Sequence, residues 1–297
     1  MNENLENRVK NLSWPQFYRL LEVIGIDSGE FNEKMTGNER LTRLAEQQRA
    51  LSVAGREIEY AIDQFRYREK EKAKSDAEWR DRSIPERITG AKDTFLPVAF
   101  LELGTLAARS VCRVDINGDP EGTGFLVSES LVLTNNHVIP SVDAAHGAAF
   151  VFNYQAGVDG GSLPSRKFSF TGEPGEFWTD PKMDWTVVRL QENPGSEFHW
   201  LKLASYIPKG GSAANIIGHP QGRLKKISLY HNEIRDASES QISYSTDTEH
   251  GSSGSPVFDD QWQVIALHRG GNESGNVNKG IPAAMLRAQF IKLCLIP

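Results

Sequence analysis

The chain has 297 residues, of which 39% are hydrophobic and 24% charged, the balance of a folded globular protein with ample core and not of a disordered chain. Its formal net charge of −6 supplies no basic face for nucleic acid, and no polybasic run beside an apolar helix suggests a membrane surface. The longest apolar stretch, Leu96 to Val111, is interrupted by Glu102 and Arg109 and is too short to cross a bilayer.

The first residues, MNENLENRVKNLSW, mix acids, bases and amides and lack the apolar run of a signal peptide. Two cysteines, Cys112 and Cys294, are too few for a disulfide framework. The expectation is a cytoplasmic protein. Ser13 and Gln16 fit a capping box with Pro15 in the first turn, and Trp14, Phe17, Leu20, Leu21 and Ile24 then recur at helix-face spacing. A second helix is expected after Thr36-Gly37-Asn38, through Leu41, Leu44 and Ala45, and a third through Ile58, Ala61, Ile62 and Phe65. Residues 1–70 therefore read as a small all-α bundle. Residues 71–95 read as a charged linker, continuing a run of alternating charge that begins at Arg66.

The texture changes after about Arg109, and residues 96–297 form the second expected domain. Short β-type runs follow one another between Gly, Asn, Pro and Asp: SVCRVDI, GTGFLV, LVLTN, AAFVFNY, RKFSF, DWTVVRL, SAANIIG, KISLYHN, QISYST, SPVFD and QVIALH. Such spacing predicts an all-β sandwich or pair of barrels. Residues Ile281 to Leu295 return to helical period.

Three segments carry chemistry. HGSSGSPVF, from His250 to Phe258, puts Ser253 in a glycine-flanked turn that can expose its hydroxyl. The same turn can aim the backbone N–H groups of Gly251 and Ser253 at one point, where a side chain at position 251 would obstruct. Taken alone this is an ordinary Gly/Ser loop. GTGFLVSESLVLTNNHVI ends with His137 just past a strand, and MDWTVVRL puts Asp184 immediately before one. A lone histidine is more often a surface or satisfied residue, and a lone aspartate a turn or cap. Together they supply a nucleophile, a base and an orienting carboxylate.

The order His, Asp, Ser along the chain is the chymotrypsin order. GTGFLV, LTNNHV, DWTVVRL and GSSGSPVF resemble the blocks of trypsin-like serine peptidases, especially the bacterial branch with the glutamyl endopeptidases, from about Ile84 onward. The resemblance implies two antiparallel six-stranded β-barrels with the site between them and a triad of His137, Asp184 and Ser253. It also implies an oxyanion hole from the N–H groups of Gly251 and Ser253, and no metal or organic cofactor. A protein or peptide substrate follows.

Trypsins insert a freed Ile-Val-type terminus near the serine, but no such start precedes Ser110, and Ser252 replaces the aspartate that receives it. Switching by another route is expected. In the specificity pocket, Thr248 and His268 match positions that bind glutamate in the staphylococcal enzyme, whereas Asp247 falls where trypsin selects Arg or Lys. His268 paired with Asp247 or Glu249 would instead fill the pocket. Repulsion of an acidic side chain by these acids tilts the balance toward a basic residue before the cut. His219, in IIGHPQG, reads as a turn residue with a satisfied ring.

The amino-terminal bundle resembles effector-associated or death-fold-like adaptor domains in helix number, size and fusion partner. That implies homotypic recruitment of the protease, with a place in bacterial defence; an inert folding cap fits equally. Two other classes of function use the same residues: a silent scaffold on a peptidase fold, and an esterase.

Overall fold

The computed structural model describes residues 3–24, 31–51, 95–271 and 277–297. The chain divides into two compact units, 1–94 and 95–297. The third expected helix and the charged run fall outside the described residues, as do the boundaries drawn at 70 and 71.

In the first unit, helices α1 (Glu3–Lys10), α2 (Trp14–Ile24) and α3 (Gly37–Leu51) are present. Both expected starts are capped. Ser13 N–H donates to Gln16 Oε1 at 2.9 Å, and Thr36 and Glu39 exchange backbone-to-side-chain hydrogen bonds at 2.7 and 3.3 Å. Helix α1 was not anticipated, because only Leu5 and Val9 of its largely polar sequence carry the apolar spacing. Those two join Leu12, Phe17, Leu20, Leu21, Phe31 and Leu44 in one core.

The second unit begins with α4 (Ala99–Arg109), which runs into strand β1 (Val111–Ile116). The first sheet continues with β2 (Asp119–Leu126), β3 (Leu131–Thr134), β4 (Ala148–Phe152), β5 (Arg166–Ser169), β6 (Phe177–Asp180) and β7 (Trp185–Arg189). Short helices α5 (Val142–His146) and α6 (Gly195–Phe198) sit in its connections. The second sheet holds β8 (Asn215–Gly218), β9 (Lys226–Ser228), β10 (Ile234–Ala237), β11 (Ile242–Tyr244), β12 (Pro256–Phe258), β13 (Val264–Gly271) and β14 (Asn278–Pro282), followed by α7 (Ala283–Lys292). The expected terminal helix thus starts two residues late, because Ile281 and Pro282 belong to β14.

The sheets have the orders β5-β4-β1-β2-β3-β7-β6 and β10-β11-β14-β13-β12-β8-β9, and every named pair is antiparallel. Bridges at Phe170–Leu190 and Ala213–Glu233 link the end of edge strand β5 to that of β7 and the lead-in of β8 to that of edge strand β10, so each sheet curls toward a barrel. Each has seven strands where six were expected. Strands β6, β10 and β14 lacked a recognisable apolar run. Phe177–Asp180 is half-buried along its length, and Asn278–Pro282 begins with Asn-Lys-Gly, so neither alternates cleanly.

One apolar cluster joins the two barrels, with Phe125, Leu133 and Val187 from the first and Ile217, Phe258 and Leu267 from the second. Helices tie the join from both ends. Trp262 packs 4.8 Å from Phe100 of α4 and donates its indole N–H to the Phe100 carbonyl at 2.8 Å. Gly104 faces that indole so closely that a Cβ would stand 2.5 Å away. From the other end, Phe290 of α7 meets Trp185 of β7 at 5.0 Å. Cys112 is buried and Cys294 exposed; both are free thiols, so they do not pair. Among the described residues, no helix is long and apolar enough to cross a membrane.

Candidate active site

Strand β3 is fully buried between β2 and β7, and the chain turns immediately after it, which carries His137 to the barrel rim. Asp184 stands at the mouth of the neighbouring β7 with φ +63, a left-handed conformation that aspartate tolerates better than most side chains. Asn135 holds it there, donating its Nδ2–H to the Asp184 carbonyl at 2.9 Å. The Asp184 carboxylate then accepts the His137 backbone N–H at 3.0 Å and faces His137 Nδ1 at 2.9 and 3.0 Å. With Nδ1–H so engaged, Nε2 is left as the free basic nitrogen of a half-exposed ring.

A further cation completes this side. Arg269, on β13 of the second barrel, donates Nε–H to Asp184 Oδ2 at 3.1 Å. Burial works to raise the Asp184 carboxyl. The hydrogen bonds from the His137 ring and backbone outweigh it, with the charges of His137 and Arg269, and hold the carboxyl below its ordinary value of 3.8.

Ser253 lies at the barrel junction on a turn shaped by backbone. Gly254 has φ +84, and a Cβ there would stand 2.0 Å from the Thr123 carbonyl and 2.4 Å from the Thr134 hydroxyl. Thr123 on β2 donates its N–H to the Ser253 carbonyl at 2.8 Å and its hydroxyl to the Gly251 carbonyl at 2.9 Å. Gly122, beside it, faces both halves of the site: a Cβ there would meet Val138 at 2.8 Å and the Ser253 carbonyl at 3.0 Å.

Gly251 has φ +89, with the His219 carbonyl 2.7 Å from where its Cβ would be. The preceding His250 carbonyl accepts Gln221 N–H at 2.5 Å. Because the peptide is planar and trans, that contact turns the Gly251 N–H the opposite way. Ser252 donates within the turn to the Glu249 carbonyl and Gly254 donates to the His268 carbonyl on β13, at 3.0 Å each, whereas the N–H groups of Gly251 and Ser253 make no hydrogen bond among the described residues. Two free donors flanking a serine are the equipment for receiving an oxyanion.

The specificity candidates separate. Asp247 and Thr248 line a pocket of about 220 Å³ with Glu249, Lys226, Ser228 and Ser252. His268 is not among its walls. It is buried, and its Nδ1 pairs with the Tyr244 hydroxyl at 2.7 Å, which also donates to the Lys279 carbonyl at 3.2 Å. The alternative in which His268 pairs with Asp247 or Glu249 is therefore corrected, since its Nδ1 partner is Tyr244. The reason lies in β14: Gly280 sits opposite His268 and has no side chain, so the Tyr244 ring reaches across that strand. Burial, followed by the charge of His137, depresses His268 to about 4.

His219 donates through Nδ1 to the Arg223 carbonyl at 3.0 Å, but its buried Nε2 has no hydrogen-bond partner. The ring is thus only half satisfied. Burial, then the charges of Lys225 and Arg113, depress it to about 3. Asn135, Thr123 and Arg269 escaped the sequence reading. Arg269 alone left a visible trace, a charge ending an apolar strand. Among the described residues, no group of three or more His, Cys, Asp or Glu side chains is placed to hold a metal ion.

Residues 122–267 match the family model of the trypsin-like peptidase domain. An uncharacterized protein of Sinorhizobium fredii, y4fB, is 36% identical over 256 residues. That match takes in 78% of this chain, more than the 95–297 unit alone supplies, and 38% of the relative. The chain spans about half or less of the length of the curated relatives most similar to it, between 38% and 52% for three of them. Among solved structures, a Glu endopeptidase in complex with MPD superposes with a TM-score of 0.50 at 19% identity, covering 63% of this chain and 91% of its own. The Rv3671c protease of M. tuberculosis in its active form gives 0.51 at 19% identity, covering 72% and 95%. At that identity the likeness establishes the two-barrel fold.

Proposed function

We propose that this chain, which carries a trypsin-like peptidase domain over residues 122–267, is a serine endopeptidase with His137, Asp184 and Ser253 as its triad. The observation that supports this best is the His137–Asp184 pair: a buried carboxylate on Nδ1 leaves Nε2 to act as base. His137 Nε2 takes the proton of Ser253 Oγ as that oxygen attacks the scissile carbonyl carbon. The N–H groups of Gly251 and Ser253 receive the oxyanion. Collapse breaks the C–N bond, and the imidazolium gives its proton to the departing amine. Water then enters by the same base and hydrolyses the acyl-serine. The Asp184 carboxylate fixes the tautomer and balances the imidazolium throughout.

A basic side chain before the scissile bond is the proposed preference, supported by the two carboxylates of Asp247 and Glu249, against the single cation of Lys226, around the pocket beside Ser252. The proposal extends to a cytoplasmic protease recruited through its helical unit, by homotypic contact, in bacterial defence. Loss of partner capture on removing residues 1–83, with peptide cleavage kept, is the expected result; full capture without them defeats the recruitment idea.

The central experiment incubates the protein and its Ser253→Ala variant with a mixed peptide library and maps cuts by mass spectrometry. Cuts made by the parent alone are expected, after Arg or Lys. Fluorophosphonate labelling of Ser253 runs alongside. Labelling and ester turnover without peptide cuts would instead indicate an esterase, and silence in both assays a scaffold.

A further inference from the structure

The ion pair between Arg269 and Asp184 joins the two barrels at the site itself. Asp184 belongs to the first barrel and is almost wholly buried; Arg269 comes from β13 of the second, and its side chain is half-exposed. An ion pair with both partners in water contributes little, since solvent screens it and ordering two side chains costs entropy. Here one partner is enclosed, so an unbalanced Asp184 would carry a desolvation cost that Arg269 offsets.

The position of Arg269 gives the pair a second consequence. Its neighbour on β13, His268, holds the serine turn by backbone: the His268 carbonyl accepts Gly254 N–H at 3.0 Å, and His268 N–H donates to the Ser255 carbonyl at 2.9 Å. Two consecutive residues of one strand therefore grip both halves of the triad. Backbone at 268 fixes the nucleophile's turn, and the side chain at 269 fixes the carboxylate that orients the base.

We propose that Arg269 is a positioning residue, registering the His137–Asp184 pair of the first barrel against the Ser253 turn of the second. This rests on the serine-peptidase reading. Arg269 touches no reacting atom; it acts through Asp184 Oδ2, the oxygen it shares with the His137 ring at 2.9 Å, while Oδ1 takes the His137 backbone N–H at 3.0 Å and also faces the ring at 3.0 Å. The charged and titratable groups meeting here are His137 beyond β3, Asp184 before β7, and His268 and Arg269 of β13.

The test measures kcat, KM and the pH profile of kcat/KM for the full chain and for Arg269→Ala, Arg269→Gln and Arg269→Lys, with near-UV circular dichroism as the check on folding. Arg269→Ala is expected to lower kcat about tenfold, a fraction of what a well-placed general base supplies, with KM nearly unchanged. Losing the cation leaves Asp184 uncompensated beside His137, so the protonated imidazole is favoured. The acid limb of the profile should then move to higher pH by about half a unit. Arg269→Lys restores the limb and only part of kcat, whereas Arg269→Gln restores neither. If Arg269→Ala does not fold, the contrast between Lys and Gln carries the same decision. An active parent with Arg269 variants within twofold in kcat and an unmoved limb overturns the proposal alone. A parent silent in both cleavage and fluorophosphonate labelling overturns the peptidase reading, and this proposal with it.

Discussion

In the first barrel, the His137–Asp184 pair is fixed by side chains and charge: an amide from Asn135, an imidazole, and a guanidinium from across the junction. In the second, the Ser253 turn is fixed by backbone, through glycines at positive φ and carbonyls that touch them. The difference teaches which perturbation each half can absorb. A charge network fails by degrees, because a replaced side chain changes orientation and field without displacing the strand. A turn enclosed by backbone tolerates no added volume, because neither wall can move without breaking a ladder.

The largest expected effect breaks the comparison on the second barrel's side. Gly254→Ala puts a methyl group 2.0 Å from the Thr123 carbonyl and demands φ +84 of a residue with a Cβ. The turn must shift, moving Ser253 and the proposed oxyanion donors, the N–H groups of Gly251 and Ser253, together. Activity should fall by a thousandfold or more, beyond the effect of losing one oxyanion donor. Gly118→Ala is the matched control: its φ of +98 is equally unsuited, yet nothing lies within 4 Å. That variant should lose about 1 kcal/mol of stability and keep its turnover. Comparable activity loss in both would mean that backbone strain, and not the enclosure of the turn, governs this half.

What the sequence made legible follows the same division. GSSGSPVF left a trace, an ordinary Gly/Ser loop until the His137 and Asp184 segments joined it, because backbone needs choose residue types: only glycine serves at 251 and 254, so the requirement is written in the chain. His137 and Asp184 were legible as types and by order. The partners holding them were not, because Asn135 and Arg269 reach Asp184 across 49 and 85 residues of chain. Side-chain contacts between distant strands leave no periodicity. The same blindness explains His268, whose partner is set by a missing side chain at Gly280 on the intervening strand. The two-barrel fold was visible from the strand runs and motif blocks, yet β6, β10 and β14 were hidden, being too polar or too short to alternate.

The smaller and more diagnostic prediction concerns acid, where the two barrels should fail in separate windows. In the second, His268 and His219 are buried neutral, depressed to about 4 and about 3 from an ordinary 6.5. A group whose folded value is depressed gives stability that is present above its unfolded value and lost as pH falls toward the folded one. For these histidines, loss begins near pH 6.5, because the unfolded chain takes up protons that the folded chain refuses. Each should remove about 2 kcal/mol between pH 7 and pH 5. In the first barrel, Asp184 is held below 3.8, so its contribution persists until the pH drops beneath that ordinary value. Urea midpoints measured from pH 7 to pH 3 should therefore begin to fall near pH 6.5. A His219→Asn variant, which keeps a donor for the Arg223 carbonyl, should show a shallower descent. A midpoint that stays level down to pH 4.5 would mean that the second barrel relaxes to admit charge at His219 and His268, and that its rigidity is confined to the glycine turn.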